Sequence, residues 1–236
     1  MTLQQLAQFC REQLGSHANK NGGIFYSKSD AFKKGDIYLL GYNPGGDSGQ
    51  PIIEELDRCF EREQSFYKDV WQHRAGTSNN GSLVNRDVEK QTRYQRGVIS
   101  FIDLLGFKLE QVCASNLIFF QSHSAKTVNH RQAADLCWPI HEVALSVVRP
   151  RLIVAIGNGN SGSAYSEVLR RKRHNLTWQL TPTWKSNYSN WRLKAFKYQE
   201  EGQQVVVLGL PHLSFYSVHS NQQLLRNYLN AVGVQV

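Results

Sequence analysis

Close cysteine pairs are what this 236-residue chain most plainly lacks. Cys10, Cys59, Cys113 and Cys137 are widely spaced and form no C-x-x-C pair, which argues against a zinc or iron–sulfur framework. They read as reduced thiols of a cytosolic protein. No apolar run approaches the roughly 18 residues that a membrane span requires. Met1–Gly15 is amphipathic, without the apolar core of a secretory signal. The expectation is a cytoplasmic protein with no membrane partner and no cofactor. Acid is also scarce: 19 Asp and Glu face 27 Lys and Arg, for a net charge of +8 and a pI near 9.4. Such an excess favours polyanionic partners, because phosphates attract Lys and Arg and release counterions on binding. The plainer alternative is a basic surface kept for solubility.

Repeats, low-complexity tracts and an evident linker are absent too. One domain spanning residues 1–236 is therefore expected, large enough to bury a core without metal or disulfides. Four short apolar runs read as buried strands: Asp36–Gly41, Val112–Phe120, Arg151–Gly157 and Val205–Leu210. Helical spacing marks the N-terminus around Leu3–Leu14, then Pro51–Trp71, Tyr94–Leu105, Arg131–Val148, Ser163–Lys172 and Gln222–Val232. The polar stretch His73–Asn85 reads as an exposed loop. Strands separated by helices predict parallel pairing with helices on both faces. The fold class expected is α/β, a three-layer sandwich around a central four-stranded parallel sheet.

Ligands of open parallel sheets bind outside the carboxyl ends of the strands. Four positions fall there: Asn43, Asn116, the turn Gly157–Gly162, and His212. The loop Gly41-Tyr-Asn-Pro-Gly-Gly46 joins flexible glycines to a Pro that fixes the chain after Asn43. It can hold one side chain rigidly and leave the backbone N–H groups of Gly45 and Gly46 for a ligand; a plain strand-exit turn has the same composition. Leu210-Pro-His-Leu-Ser-Phe215 places a His past a buried strand, where it can donate to a developing anion. Asn116 sits inside an apolar run, and a buried amide there must be hydrogen-bonded, either to backbone or to a ligand.

In this order the three pieces resemble the uracil-DNA glycosylase superfamily. Gly41-Tyr-Asn-Pro-Gly45 is similar to the first motif of its thymine-DNA and single-strand-selective uracil glycosylase branch. His212-Leu-Ser214 matches the His and Ser of the last motif, and Asn116 stands where the family places a base-reading Asn. The chain departs at Leu213 and Phe215, where the family carries Pro. The resemblance implies that the chain hydrolyses the N-glycosidic bond of a flipped damaged or deaminated base such as uracil, as a monomer acting on single- or double-stranded DNA. It implies that Asn43 positions the water and His212 donates to the leaving base, with Asn116 reading its edge. Asp47 is either a helper base or a helix N-cap. Tyr42, Ile52 and Phe66 are the candidates for contact with the base, with Phe60 and Tyr67 as further aromatics for stacking.

For the DNA strand, Gly157, Gly159 and Ser161 of the Gly-rich turn suit phosphates, and Ser214 joins them from the His motif. Phe215 and Tyr216 serve either as a wedge or as core packing. Arg170, Arg171 and Arg173 are basic candidates, or simply the solvated end of a helix. Lys185–Lys197, interleaved with Trp184, Tyr188 and Trp191, suits stacking against a single strand. Two rivals remain. One is a dinucleotide-binding enzyme built on Gly157-x-Gly159-x-x-Gly162, which lacks the acidic residue expected about 20 residues on. The other is a non-catalytic nucleic-acid-binding protein with a degenerate glycosylase fold.

Overall fold

A computed structural model describes residues 2–45, 49–73, 88–122, 129–179, 184–186 and 190–235. Helix α1 (Leu3–Leu14) starts in a capping box between Thr2 and Gln5, and its buried stripe is Leu6, Ala7, Cys10 and Leu14. Strand β1 (Ile37–Gly41) follows, then α2 (Ile52–Glu61). The short strands β2 (Trp71–His73) and β3 (Val88–Lys90) pair antiparallel as a separate two-stranded sheet. Helix α3 (Arg93–Leu104) leads to β4 (Val112–Asn116), and α4 (His130–Val148) to β5 (Leu152–Ile156). After α5 (Ala164–Lys172) come β6 (Leu176–Gln179), β7 (Trp184–Lys185), β8 (Arg192–Glu200) and β9 (Gln203–Leu210), and α6 (Gln222–Val232) closes the series.

The central sheet runs β4-β1-β5-β9-β8-β6, with β7 attached to β8. Its first four strands are parallel. They are the four strands expected from the apolar runs. Each is buried along its carboxyl half, as strands covered on both faces must be. The sheet is nonetheless larger than expected, because β6, β7 and β8 extend it antiparallel. Strand β8 hides in the basic stretch: Leu193, Ala195, Phe196 and Tyr198 are buried, while Arg192, Lys194 and Lys197 point to more open positions. Two corrections are shorter elements. The run to Phe120 is strand only as far as Asn116, and the helix expected to Trp71 ends at Glu61.

Side chains alternate between two apolar layers, as a period of two requires. Tyr38, Leu40, Cys113, Ile153, Ala155 and Val207 face α1, α2, α4 and α5. Ile37, Leu39, Ala114, Val154, Leu208 and Leu210 face α3 and α6. The result is a mixed α/β architecture with a mostly parallel sheet between helices. No helix among the described residues is long and apolar enough to cross a membrane.

A buried polar contact ties α4 to β1 and to the segment just after β4. The Tyr38 hydroxyl donates to His141 Nδ1 at 2.8 Å, and His141 Nε2–H donates to the Leu117 carbonyl at 3.2 Å. Burial lowers the His141 pKa from 6.5 to about 4, with the bond to Leu117 opposing in part. The unfolded chain therefore binds a proton that the folded one refuses. This contribution is complete above about pH 6.5 and is lost as pH falls toward 4, an effect of about 3 kcal/mol at order of magnitude. Urea melts followed from neutral pH down to about pH 4 are expected to show that loss, and His141→Gln to make the slope shallower.

Candidate active site

A cleft of about 900 Å³ opens at the carboxyl edge of the parallel strands, where β1, β4, β5 and β9 all end. Register decides what meets there. Gly41 lies opposite Asn116 in the last rung of the β1–β4 ladder. A Cβ on residue 41 would stand 2.0 Å from Asn116 Oδ1 and 3.1 Å from the Tyr94 hydroxyl, so only glycine leaves room for that amide. Asn116 is 9% exposed, and its side chain is also hydrogen-bonded to the Tyr26 hydroxyl.

Beyond Gly41 the chain turns into the cleft. Asn43 Nδ2 donates to Ser122 Oγ at 2.8 Å and to the Pro44 carbonyl at 2.9 Å. With both amide hydrogens used inside the protein, Oδ1 is the face of the amide left to accept from a water or hydroxyl. Gln121 fixes the same loop from the far side: its Nε2 donates to the Gly45 carbonyl and its Oε1 accepts from Gly49 N–H, each at 2.8 Å. Gly46, expected to offer its N–H to DNA, and Asp47, expected as a helper base or a helix N-cap, lie outside the described residues, as does Tyr188.

His212 follows β9. Ser214 N–H donates to His212 Nδ1 at 3.3 Å, which leaves the proton of the neutral ring on Nε2. Desolvation by the cleft walls lowers the His212 pKa, favouring that neutral donor. The ring stacks on Tyr94, with centroids 5.1 Å apart and planes at 23°. Tyr94 is in turn hydrogen-bonded to Tyr67, and burial raises the pKa of both hydroxyls, keeping them protonated. Phe66 meets Tyr26 edge-on at 5.2 Å. Gln95, fully buried, holds this aromatic wall by donating to the Phe66 and Asp69 carbonyls at 2.9 Å.

The structure thus gathers Tyr42, Asn43, Gly45, Phe66, Asn116, Gly157, His212 and Ser214 around one cleft. Two expected residues are corrected. Ile52 is 0% exposed inside α2 and packs in the core, so it has no face for a base. Tyr216 is 1% exposed and belongs to the core beneath α3 and α6, whereas its neighbour Phe215 is 63% exposed. Of the pair, only Phe215 presents its ring to solvent. It stands 5.8 Å from His212 and meets Trp191 edge-on at 6.4 Å.

The Gly-rich turn is pinned from β8 and β9. Asn158 Nδ2 donates to the Gly209 carbonyl, and Lys194 Nζ donates to Asn158 O and Asn160 Oδ1. Gly157, at φ +99°, takes a backbone that side chains rarely adopt. Gly159, Ser161 and Arg173 are exposed. Arg170 and Arg171 are engaged internally. Both reach Glu167, both reach Asp135 at 2.6 Å, and Arg171 lies over the Trp138 ring at 4.5 Å. Their charge is already answered by buried Glu167 and half-exposed Asp135.

Sequence reasoning missed Tyr26, Tyr94, Gln121, His130 and Glu167. His130 Nδ1 and the Tyr42 hydroxyl are 2.9 Å apart, and His130 Nε2 is 3.3 Å from Glu167 Oε1. No spacing marks His130 and Glu167, since they come from the start of α4 and the middle of α5. Among the described residues no group of three His, Cys, Asp or Glu side chains could hold a metal ion. No family model and no curated protein matches the chain.

Gly41→Ala tests the tight rung. The added methyl is expected to displace the Asn116 amide and to cost about 1–3 kcal/mol, the usual range for overpacking. Denaturant midpoints measure the cost; an unchanged midpoint would show that the rung is not tight.

Proposed function

We propose that this chain is a uracil-DNA glycosylase-like enzyme that hydrolyses the N-glycosidic bond of a flipped, damaged or deaminated base in DNA. One observation carries the reading: Asn43 and His212 line the same cleft in complementary states. Asn43 is fixed with its carbonyl oxygen left to accept, and neutral His212 is fixed with Nε2–H left to donate. Cleavage of such a bond needs both. A nucleophilic water must be oriented at C1′, and negative charge must be met as it develops on the departing base.

Asn116, at the cleft and nearly buried, supplies an amide for the edge of the base, and the aromatic wall of Tyr26, Phe66 and Tyr94 supplies stacking surface. A base inside a duplex must first leave its stack, at a cost of a few kcal/mol. Exposed Phe215 beside His212 suits the gap left behind. The net charge of +8 suits a DNA partner. The mostly parallel sheet, with its four motif positions at one edge, is in keeping with the three-layer fold of that superfamily.

Oligonucleotides carrying uracil, hypoxanthine, xanthine or a T·G mismatch test the proposal, with abasic sites as the readout. At least one lesion is expected to be cut. Asn43→Ala and His212→Ala should each lower the rate about a hundred- to a thousandfold while DNA binding persists. Binding without an abasic product on any lesion would leave the non-catalytic nucleic-acid-binding reading in its place.

A further inference from the structure

We propose that Tyr42, His130 and Glu167 form a proton relay serving the cleft, with Tyr42 as the group that takes the proton of the attacking water and His130 as its acceptor. The inference rests on the hydrolytic reading above and adds to it the base that Asn43 cannot be. An amide oxygen orients a water well but does not hold its proton.

The geometry is that of a hydroxyl, an imidazole and a carboxylate in sequence. Tyr42 lines the cleft and is the residue before Asn43. Its hydroxyl is 2.9 Å from His130 Nδ1, and the two rings are nearly parallel, at 4°. His130 Nε2 is 3.3 Å from Glu167 Oε1, and the Glu167 side chain is only 8% exposed. A buried carboxylate on one ring nitrogen fixes the tautomer: Nε2–H donates to Glu167, so Nδ1 is left to accept from Tyr42. Burial disfavours the Glu167 carboxylate, but hydrogen bonds from Arg170 and Arg171 outweigh it and keep the acid ionised. The charged groups around His130 are thus Glu167 with Arg170 and Arg171 on α5, and Asp135 on α4, which holds the same two guanidinium groups. The Arg–Asp pairing therefore has a task of its own, holding the acid that orients His130.

The step balances without any co-reactant. Water oxygen bonds to C1′ as the C1′–N bond breaks, and the electron pair leaves with the base, which His212 Nε2–H meets. The water proton passes to the Tyr42 oxygen, and the Tyr42 proton passes to His130 Nδ1. The resulting imidazolium is stabilised by Glu167. Tyr42 is the catalytic residue here, and Glu167 is a positioning residue.

The test compares Tyr42→Phe, which removes one oxygen, and His130→Ala with the wild-type chain on whichever lesion it cuts. Single-turnover rates and DNA affinity are measured separately. Both variants are expected to cleave about a hundred- to ten-thousandfold more slowly with unchanged affinity, the range of general-base catalysis. Added imidazole should restore part of the rate to His130→Ala and none to Tyr42→Phe. Thermal melts of both variants check that the fold is kept. Cleavage by Tyr42→Phe within threefold of wild type overturns the relay. So does a loss of affinity with an unchanged single-turnover rate, which would make Tyr42 a binding group. A wild-type chain that cuts no lesion overturns the glycosylase reading itself, a result distinct from either.

Discussion

At the last rung of the β1–β4 ladder a Cβ on residue 41 would fall 2.0 Å from Asn116 Oδ1. The missing side chain lets an amide from one strand lie over the backbone of the next, where a side chain would otherwise stand. Much of the cleft depends on that contact. It brings Asn116 and the Tyr94 hydroxyl together above β1. It also sets where the chain leaves the sheet, and so where Tyr42 and Asn43 begin. Leu117 N–H and Ile118 N–H then donate to the Gly41 and Tyr42 carbonyls, carrying the pairing past the end of the strands. The loop is thereby held between β1 and the segment after β4, and Gln121 closes its far end.

The site is governed by hydrogen-bond direction more than by charge. Asn43 and His212 are each committed on one side to an internal partner, which leaves a single defined face for a ligand. The tyrosines around them are kept neutral by burial. Charge is concentrated one layer out, in the cluster of Glu167, Asp135, Arg170 and Arg171. That separation has a physical basis. Neutral donors and acceptors tolerate a desolvated wall, whereas ions need partners of their own before they can be buried. Arg170 and Arg171, two of the basic residues at a helix end, thus belong to ion pairs of the fold before they belong to the surface field that the net charge suggests.

The four parallel strands and six of the helices were legible because each is long enough, or apolar enough, for its period to stand above its neighbours. The antiparallel extension was not. In β8 the cations at 192, 194 and 197 break up the apolar positions, and the strand is completed only by its pairing with β6, β7 and β9. Ile52 and Tyr216 failed for a related reason. Sequence places each beside a motif but does not say which way the side chain turns, and in both the core took it.

Sequence alone determined which four apolar runs form the parallel strands and that Asn43, Asn116 and His212 lie after or within three of them, because turn residues and apolar runs are local properties. Tertiary structure decided what surrounds those three. The aromatic wall, the Gln121 clamp and the Tyr42–His130–Glu167 contact join segments distant in the chain. Such contacts are fixed by strand register and helix packing, in which one residue's side chain takes the space that another's glycine leaves free.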